Sequence, residues 1–423
     1  MAQPPPVTYR ARVVLPVAQP AIEDGAVFVS RGRIVAVGRW RDLRREAPAQ
    51  KRDLGEVVLL PGLVNAHCHL DYTDMAGAIP PPKSFLNWVE AIVALKAGWS
   101  YTDFAQSWLH GARQLLTHGC TTVGDIEAVP ELLPEVWEAT PLRVISHLEL
   151  ISVRRRLRPA TLVRQTLQQL RELPVGRSRA ALSPHALYTT NPELLKLVRR
   201  SAHRAGWPLT MHVAESASEF EMFRHGRGAM FDWLRKNGRD MSDCGTRSPV
   251  QQLAALHLLD PRFLAVHVNH LAPGDADLLG HAGASVVHCP RSHAFFNHQT
   301  FPAQELRAAG VNLCLGTDSL ASIGKDGRRL PELDLFAELR LFAVKHPEFS
   351  PAELLDLVTR NAAAAICLRG KVGQLTRRAY ADLLVLRSDT TVKQAVETTV
   401  QTLPTIAGVM LGGEWAIEPP AQS

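Results

Sequence analysis

The sequence predicts an α/β fold: a (β/α)8 TIM barrel accompanied by a small β-sandwich domain built from the N- and C-terminal segments. Three observations carry that prediction. Eight short apolar runs each lead to a polar residue, usually His or Asp, and amphipathic stretches separate them. Strands alternating with helices make a parallel sheet, and eight such units make a barrel. Alternating apolar and polar residues with turn signals fill the chain before Pro61 and return after Gly370, the texture of β-hairpins. The length of 423 residues suits a barrel of ordinary size plus one smaller unit.

In chain order, residues 9–17, 26–30 and 33–37 read as strands, with turns at Gly25 and Arg31-Gly32. Residues 57–66 count as the first barrel strand, interrupted by Pro61-Gly62, and His67 and His69 follow it. On an extended backbone residues i and i+2 point to one side, so both imidazoles can grip one ion. The next runs are 120–124 before Asp125, 142–146 before His147, 180–184 before His185 and 208–211 before His212. The last three are 263–266 before His267, 285–287 before His288 and 311–317 before Asp318. Helical stretches such as 192–205 and 302–309 lie between them. Barrel enzymes place their chemistry at the carboxyl ends of the strands, and 17 randomly scattered histidines would not mark those ends so regularly. Residues 381–386, 407–411 and 415–417 resume the hairpin texture. The expected division is therefore 1–60 with 371–423 for the small domain and 61–370 for the barrel. Insertions at 70–100 and 224–250 fall where loops set specificity or cover a site.

The bulk composition excludes several classes. Hydrophobic content of 46% with 21% charged residues is that of a soluble globular protein. No apolar stretch is long enough to span a membrane, and Met1 to Pro6 has no secretory pattern. Six scattered cysteines without CxxC spacing read as free thiols in a reducing compartment, so a cytoplasmic protein is expected. The net charge of +6 comes mostly from arginines spread along helices. The one dense run, Arg154-Arg155-Arg156-Leu157-Arg158, comes without a nucleic-acid motif and reads as solvated surface. The expected partner is a small-molecule substrate, with no nucleic acid and no membrane; a homodimer is the one assembly left open.

The motifs PGLVNAHCHL (61–70), GCTTVGD (119–125), SPHALYTT (183–190), MHVAES (211–216), AVHVNHL (265–271), VVHCPRSH (286–293) and LGTDS (315–319) resemble those of the amidohydrolase superfamily, in its metal-dependent deaminase and chlorohydrolase branch. GKVGQL (370–375) and YADLLVL (380–386) match its usual close, so the resemblance covers essentially the whole chain. It implies that His67, His69, His212 and Asp318 hold one divalent metal, most simply Zn2+, with Fe2+ or Mn2+ sharing such ligands. His267, rather than His270, would sit beside the attacking water or at a fifth ligand position. Strand four ends Ser183-Pro184-His185 without the lysine that bridges two ions in other members, which implies a single ion. Three imidazoles and a carboxylate leave one position open, as catalytic zinc sites do.

The resemblance assigns Glu215, three residues past His212, to protonation of a ring nitrogen, and Asp318 to accepting the water's proton. The other reading of Glu215 is a charge favouring a helix N-terminus. His185 and Ser319 are placed at the substrate, and Arg291 is expected to pair with a substrate carboxylate through its planar fork. His147 and Asp125 read as structural hydrogen bonders, while His288 and His293 are left open. The implied activity is hydrolytic deamination of an aminopurine nucleoside or related N-heterocycle. Within the branch HCPRSH looks most like the aminodeoxyfutalosine deaminases of menaquinone synthesis, whose substrate carries an adenine and a benzoate. In Asp71-Tyr72, where an acidic and then a small polar residue is expected, Tyr72 departs from that pattern. Alternatives are a methylthioadenosine or adenosylhomocysteine deaminase, a guanine deaminase, or a triazine chloro- or aminohydrolase. A non-catalytic barrel is disfavoured because all four ligands are present, and a cyclic-amide hydrolase because the bridging lysine is absent and the HxxE glutamate present.

Overall fold

In chain order the strands are β1 (Val7–Val14), β2 (Ile22–Ser30), β3 (Arg33–Arg39), β4 (Gln50–Asp53), β5 (Val57–Pro61) and β6 (Leu63–Cys68). They continue with β7 (Cys120–Glu127), β8 (Arg143–Leu150), β9 (Arg179–Pro184), β10 (Leu209–Val213), β11 (Phe263–His267), β12 (Ser285–His288) and β13 (Asn312–Leu315). β14 (Leu383–Arg387), β15 (Thr405–Leu411) and β16 (Glu414–Ile417) close the chain. The computed structural model describes residues 5–45, 50–153, 158–403 and 405–420. Arg154 to Leu157 of the basic run lie outside the described residues; Arg158 precedes the helix Pro159–Glu172.

β6 to β13 form one sheet of parallel strands in sequential order, the (β/α)8 barrel. The remaining strands form a second sheet in the order β16-β15-β14-β5-β1-β2-β3, with β4 beside β1. Its β2–β3 hairpin turns at Arg31-Gly32, with φ of 50° and 70°, the positive pair that two-residue hairpin loops demand. The run expected as the first barrel strand, 57–66, is in fact two strands. β5 belongs to the second sheet, antiparallel to β14 and parallel to β1, and only β6 enters the barrel. The break falls at Gly62, whose N–H donates to Asp382 O at 3.0 Å. Side-chain alternation explains why β5 is apolar throughout. Val57 and Leu59 pack into the second sheet's own core, while Val58 and Leu60 face the barrel's. β14 divides in the same way, Leu383 and Val385 against Leu384 and Leu386.

The helices follow local signals. Asn191 Oδ1 accepts from Leu194 N at 2.9 Å to begin Pro192–Ala205, and left-handed Gly206 ends it. Inside the barrel, Val64, Ala66, Ile145, Leu264, Val266 and Val287 pack with Ala362, Ala363 and Ile366 from around the short helix Arg360–Ala365. Among the described residues no helix is long and apolar enough to cross a membrane. The buried Arg143–Asp382 ion pair, at 3.3 Å, ties β8 to the second sheet, and Arg143 lies 3.7 Å over the Tyr380 ring.

The barrel closes where β13 meets β6. His67 O accepts from Thr317 N at 3.0 Å and Asp318 N at 3.1 Å. Asn65 spans the same gap, donating from Nδ2 to Thr317 Oγ1 at 2.8 Å and accepting from Thr317 N at 3.1 Å. A Cβ on Gly316 would lie 2.7 Å from His67 O and 2.9 Å from His67 Cβ, so only glycine admits this approach. Gly316→Ala should therefore lower the unfolding free energy by about 1–3 kcal/mol, the usual cost of overpacking, as read from urea titration; an unchanged midpoint would show that the seam has slack.

Candidate active site

Four strand ends deliver the five central side chains. His67 lies in β6 and His69 just beyond it, His212 in β10, His267 at the end of β11, and Asp318 three residues past β13. Their donor atoms converge in overlapping sets, each within 4.8 Å: His67, His212 and His267; His67, His69 and Asp318; Glu215, His267 and Asp318. Asp318 Oδ1 is 3.4 Å from His67 Nε2 and 3.6 Å from His69 Nε2. The His67 ring centroid is 5.0 Å from that of His69 and 5.1 Å from that of His212. The backbone is left-handed at Ala214 (φ 49°), His267 (74°), Val268 (52°) and Asp318 (52°). Such angles are rare outside glycine and here occur beside the converging groups, where strain tends to gather.

The site is buried, and burial sets its charge. It pushes His212 and His69 well below the ordinary imidazole value and His267 down to about 3, so these rings are neutral with a lone pair free. Burial pushes Asp318 upward, but the surrounding His67, His267 and His69 rings outweigh it and hold Asp318 well below the usual carboxylate range. Neutral imidazoles and an ionised carboxylate are the protonation states metal ligands need. His67 Nε2 and His267 Nε2 are buried without a hydrogen-bond partner, which native interiors seldom tolerate unless something else binds there. The donor set fits a divalent ion with one open position.

An outer layer orients these groups. His212 Nδ1–H donates to His185 O at 3.1 Å, which leaves Nε2 as the free lone pair. Ser322 Oγ–H donates to Asp318 Oδ2 at 3.2 Å. Asp125 accepts from Leu70 N at 2.9 Å and Trp108 Nε1 at 3.1 Å, fixing the segment just after His69. His147 is buried, with burial pushing it down to about 4.

Glu215 Oε1 lies 3.5 Å from His267 Nε2. Burial, reinforced by Asp318 and Glu219, pushes its carboxyl well above the usual range, which favours the protonated form. Its backbone is clamped: Glu215 N donates to Glu219 Oε2 at 2.9 Å, and Asn269 Nδ2 donates to Glu215 O at 2.9 Å. Glu215 precedes the helix Ala217–His225, whose first-turn acid is Glu219 and whose cap is Ser216. The helix-dipole reading thus applies to Glu219, which the sequence analysis missed although it stands four residues on.

A pocket opens over this centre, lined by His69, His212, Glu215, Asp318 and Ser319 on one side and by Tyr72, Trp88, Lys96, Glu149, His185 and Tyr188 on the other. His185 Nδ1 is 2.7 Å from Thr189 Oγ1. Ser319 lines the pocket with its Oγ already accepting from Ala321 N at 2.9 Å. The 70–100 insertion supplies the helix Phe85–Ala97, and Trp88 Nε1 donates to Ala321 O at 3.1 Å. Within the 224–250 insertion the buried Arg239 binds Asp243 and donates to Tyr188 O (2.9 Å) and Leu187 O (2.8 Å), bracing the loop that carries His185.

Arg291 is not brought to this pocket. Its Nε donates to Glu338 Oε1 at 2.5 Å, its N–H to Glu338 Oε2 at 2.8 Å, and its Nη2 to Glu332 O at 3.0 Å. Glu338 is fully buried, so the arginine's charge and its planar fork are already taken. His288 stacks on Phe301 at 3.8 Å and lines a separate cavity with His293 and His298. His270 contacts Phe220 and His298, apart from the converging donors. Glu149 was missed because β8 extends to Leu150, past the end read from the sequence; it stands two residues beyond His147 on the same strand. Lys96 sits within a helix of the insertion, where no strand-end pattern marks it.

The amidohydrolase family pattern matches residues 58–416. The chain is 29% identical to a 5-methylthioadenosine/S-adenosylhomocysteine deaminase of Nitratidesulfovibrio vulgaris over 379 residues, covering 86% of this chain and 80% of that one. It is 31% identical to an aminodeoxyfutalosine deaminase of Deinococcus radiodurans over 318 residues, covering 71% and 73%. The fold is also that of a zinc-bound adenosine deaminase from Xanthomonas campestris, with TM-score 0.85, 24% identity, and 98% and 94% of the chains covered. His67→Ala should abolish stoichiometric metal in the purified protein, measured by elemental mass spectrometry; full retention would mean the ligand set is wrong.

Proposed function

The chain belongs to the amidohydrolase family, and we propose that within it the protein deaminates an aminopurine nucleoside, with aminodeoxyfutalosine as its first substrate. It is a hydrolytic deaminase of C–N bonds other than peptide bonds. One observation carries the finer reading: the buried Glu215, its carboxyl pushed well above the usual range by burial, shares a space with His267 and Asp318, their donor atoms within 4.8 Å of one another. That arrangement suits attack on an aromatic C–NH2 carbon, which needs an acid and a base on the same small volume.

His67, His69, His212 and Asp318 would hold the ion, which we take as zinc. A divalent ion there supplies a Lewis acid that lets water lose a proton near neutral pH. His267, through its partnerless Nε2, orients the water. Asp318 accepts the water's proton. Glu215 gives its proton to the ring nitrogen beside the amino-bearing carbon, making that carbon electrophilic. Asp318 then passes its proton to the departing amine, which leaves as ammonia, while the adduct's hydroxyl proton returns to Glu215 and the ring gains a carbonyl. The wall of buried Tyr188 and half-buried His185 and Trp88 keeps the base in place and limits bulk water.

The similarity to the D. radiodurans deaminase supports aminodeoxyfutalosine, and a place in menaquinone synthesis is part of the proposal. The longer match to the N. vulgaris deaminase favours methylthioadenosine or adenosylhomocysteine as the second reading. Incubating zinc-loaded protein with all three nucleosides and following the ultraviolet shift to the 6-oxo product decides between them. Turnover of none would overturn the nucleoside reading. Glu215→Gln should keep bound metal and fold while cutting kcat by roughly 10²–10⁴-fold, the usual worth of an acid–base group; a fully active variant would remove Glu215 from the chemistry.

A further inference from the structure

Tyr72 and the helix Phe85–Ala97 supply part of the pocket wall. Lys96 is the one lysine or arginine among the described residues lining that pocket. Its ammonium donates to Tyr72 Oη and lies 4.6 Å from the centroid of the Tyr72 ring. The Tyr72 ring in turn stacks on His69, with centroids 5.2 Å apart and planes 10° from parallel. Lys96 is thus held one ring beyond an expected metal ligand by direct contact with a phenol and its aromatic face, and no carboxylate forms an ion pair with it among the described residues.

The Lys96 charge also reaches the buried Asp71 carboxyl, whose pKa burial nonetheless holds well above the usual range, and apolar side chains surround the cation on its other flank. Trp88, Val89, Ile92, Val93 and Ile151 line the same pocket. Val93 is 61% exposed and Ile151 47% exposed, so large apolar side chains stand in water at the mouth, a feature that commonly marks a binding surface. The pocket's carboxyl groups are Glu149, Glu215 and Asp318. One cation among three such groups can neutralise a single negative charge and leaves a dianion such as a phosphate uncompensated. A second ammonium near Lys96 would meet like charge.

We propose that Lys96 is a specificity-determining residue that receives one carboxylate, carried on an apolar or aromatic arm at the end of the substrate away from the base. This assignment rests on the nucleoside-deaminase reading and narrows it to nucleosides with a monoanionic arm. It transfers to Lys96 the role expected of Arg291, whose guanidinium is closed off by Glu338.

The test uses 5′-S-(4-carboxyphenyl)-5′-thioadenosine and its primary carboxamide, which differ only in the charge of the arm. In the metal-loaded wild-type enzyme the acid is preferred. In Lys96→Met the acid-to-amide ratio of kcat/KM falls by roughly 10–100-fold, the worth of one charge-assisted hydrogen bond, and Lys96→Arg recovers part of it. A ratio unchanged within about twofold, or an equal loss for both substrates, overturns the assignment while leaving the deaminase reading intact. If wild-type enzyme turns over neither compound, that reading fails, and calorimetric titration with the 6-oxo acid and 6-oxo amide judges Lys96 alone. A Kd ratio that falls in Lys96→Met then sustains the anion site, and a constant ratio removes it. Should Lys96→Met not fold, Lys96→Gln takes its place under the same criteria.

Discussion

Everything at the candidate active site depends on one seam, the place where the first and last barrel strands come together. Asn65 bonds the backbone and hydroxyl of Thr317, and His67 O takes two N–H donors from 317 and 318. Gly316 lets the two backbones approach closely enough for this to happen. His67 and His69 lie on one side of the seam and Asp318 on the other. Three of the six converging residues therefore owe their mutual geometry to main-chain bonds. Side chains held in that way lose little further freedom when a ligand binds, which is what preorganisation means in structural terms.

The seam also explains how such an unfavourable group of side chains survives. Burying imidazoles, a carboxylate and a carboxylic acid together costs solvation that no internal hydrogen bond returns to His67 Nε2 or His267 Nε2. The left-handed residues at His267 and Asp318 add backbone strain. The surrounding frame carries this load through a large apolar core and through polar anchors such as Arg239 with Asp243 and Arg143 with Asp382. The cost is concentrated where an ion and a substrate can recover it, a distribution typical of sites selected for activity rather than for stability.

How much of this was legible from the sequence depended on whether the signal was local. The strand-end histidines were legible because an apolar run followed by His or Asp is complete within a few residues, and because an i, i+2 pair on a strand must share a side. The barrel followed from eight such runs. The run at 57–66 misled because an uninterrupted apolar stretch marks burial without saying in which sheet. Only the alternation of Val57 and Leu59 against Val58 and Leu60 between two cores reveals the split. Arg291 misled for a different reason: its partner Glu338 comes 47 residues later, and no local pattern shows that a guanidinium is already engaged. Lys96 and Glu149 were invisible for the complementary reason, since what brings them to the pocket is the packing of an insertion helix and the extra length of β8.

The pairing of β5 with β14 has a consequence for the protein's birth. β5 is finished before the barrel begins, and its antiparallel partner is made only after the barrel ends. At the usual pace of about 5–20 residues per second, translation of the stretch between Pro61 and Leu383 takes on the order of tens of seconds. Throughout that interval the apolar edge formed by Val57, Val58, Leu59 and Leu60 has no β14 to cover it. An open, apolar strand edge is a template for unwanted pairing with other chains. The nascent polypeptide is therefore most exposed to aggregation, and most in need of a chaperone, while its catalytic half is still being built.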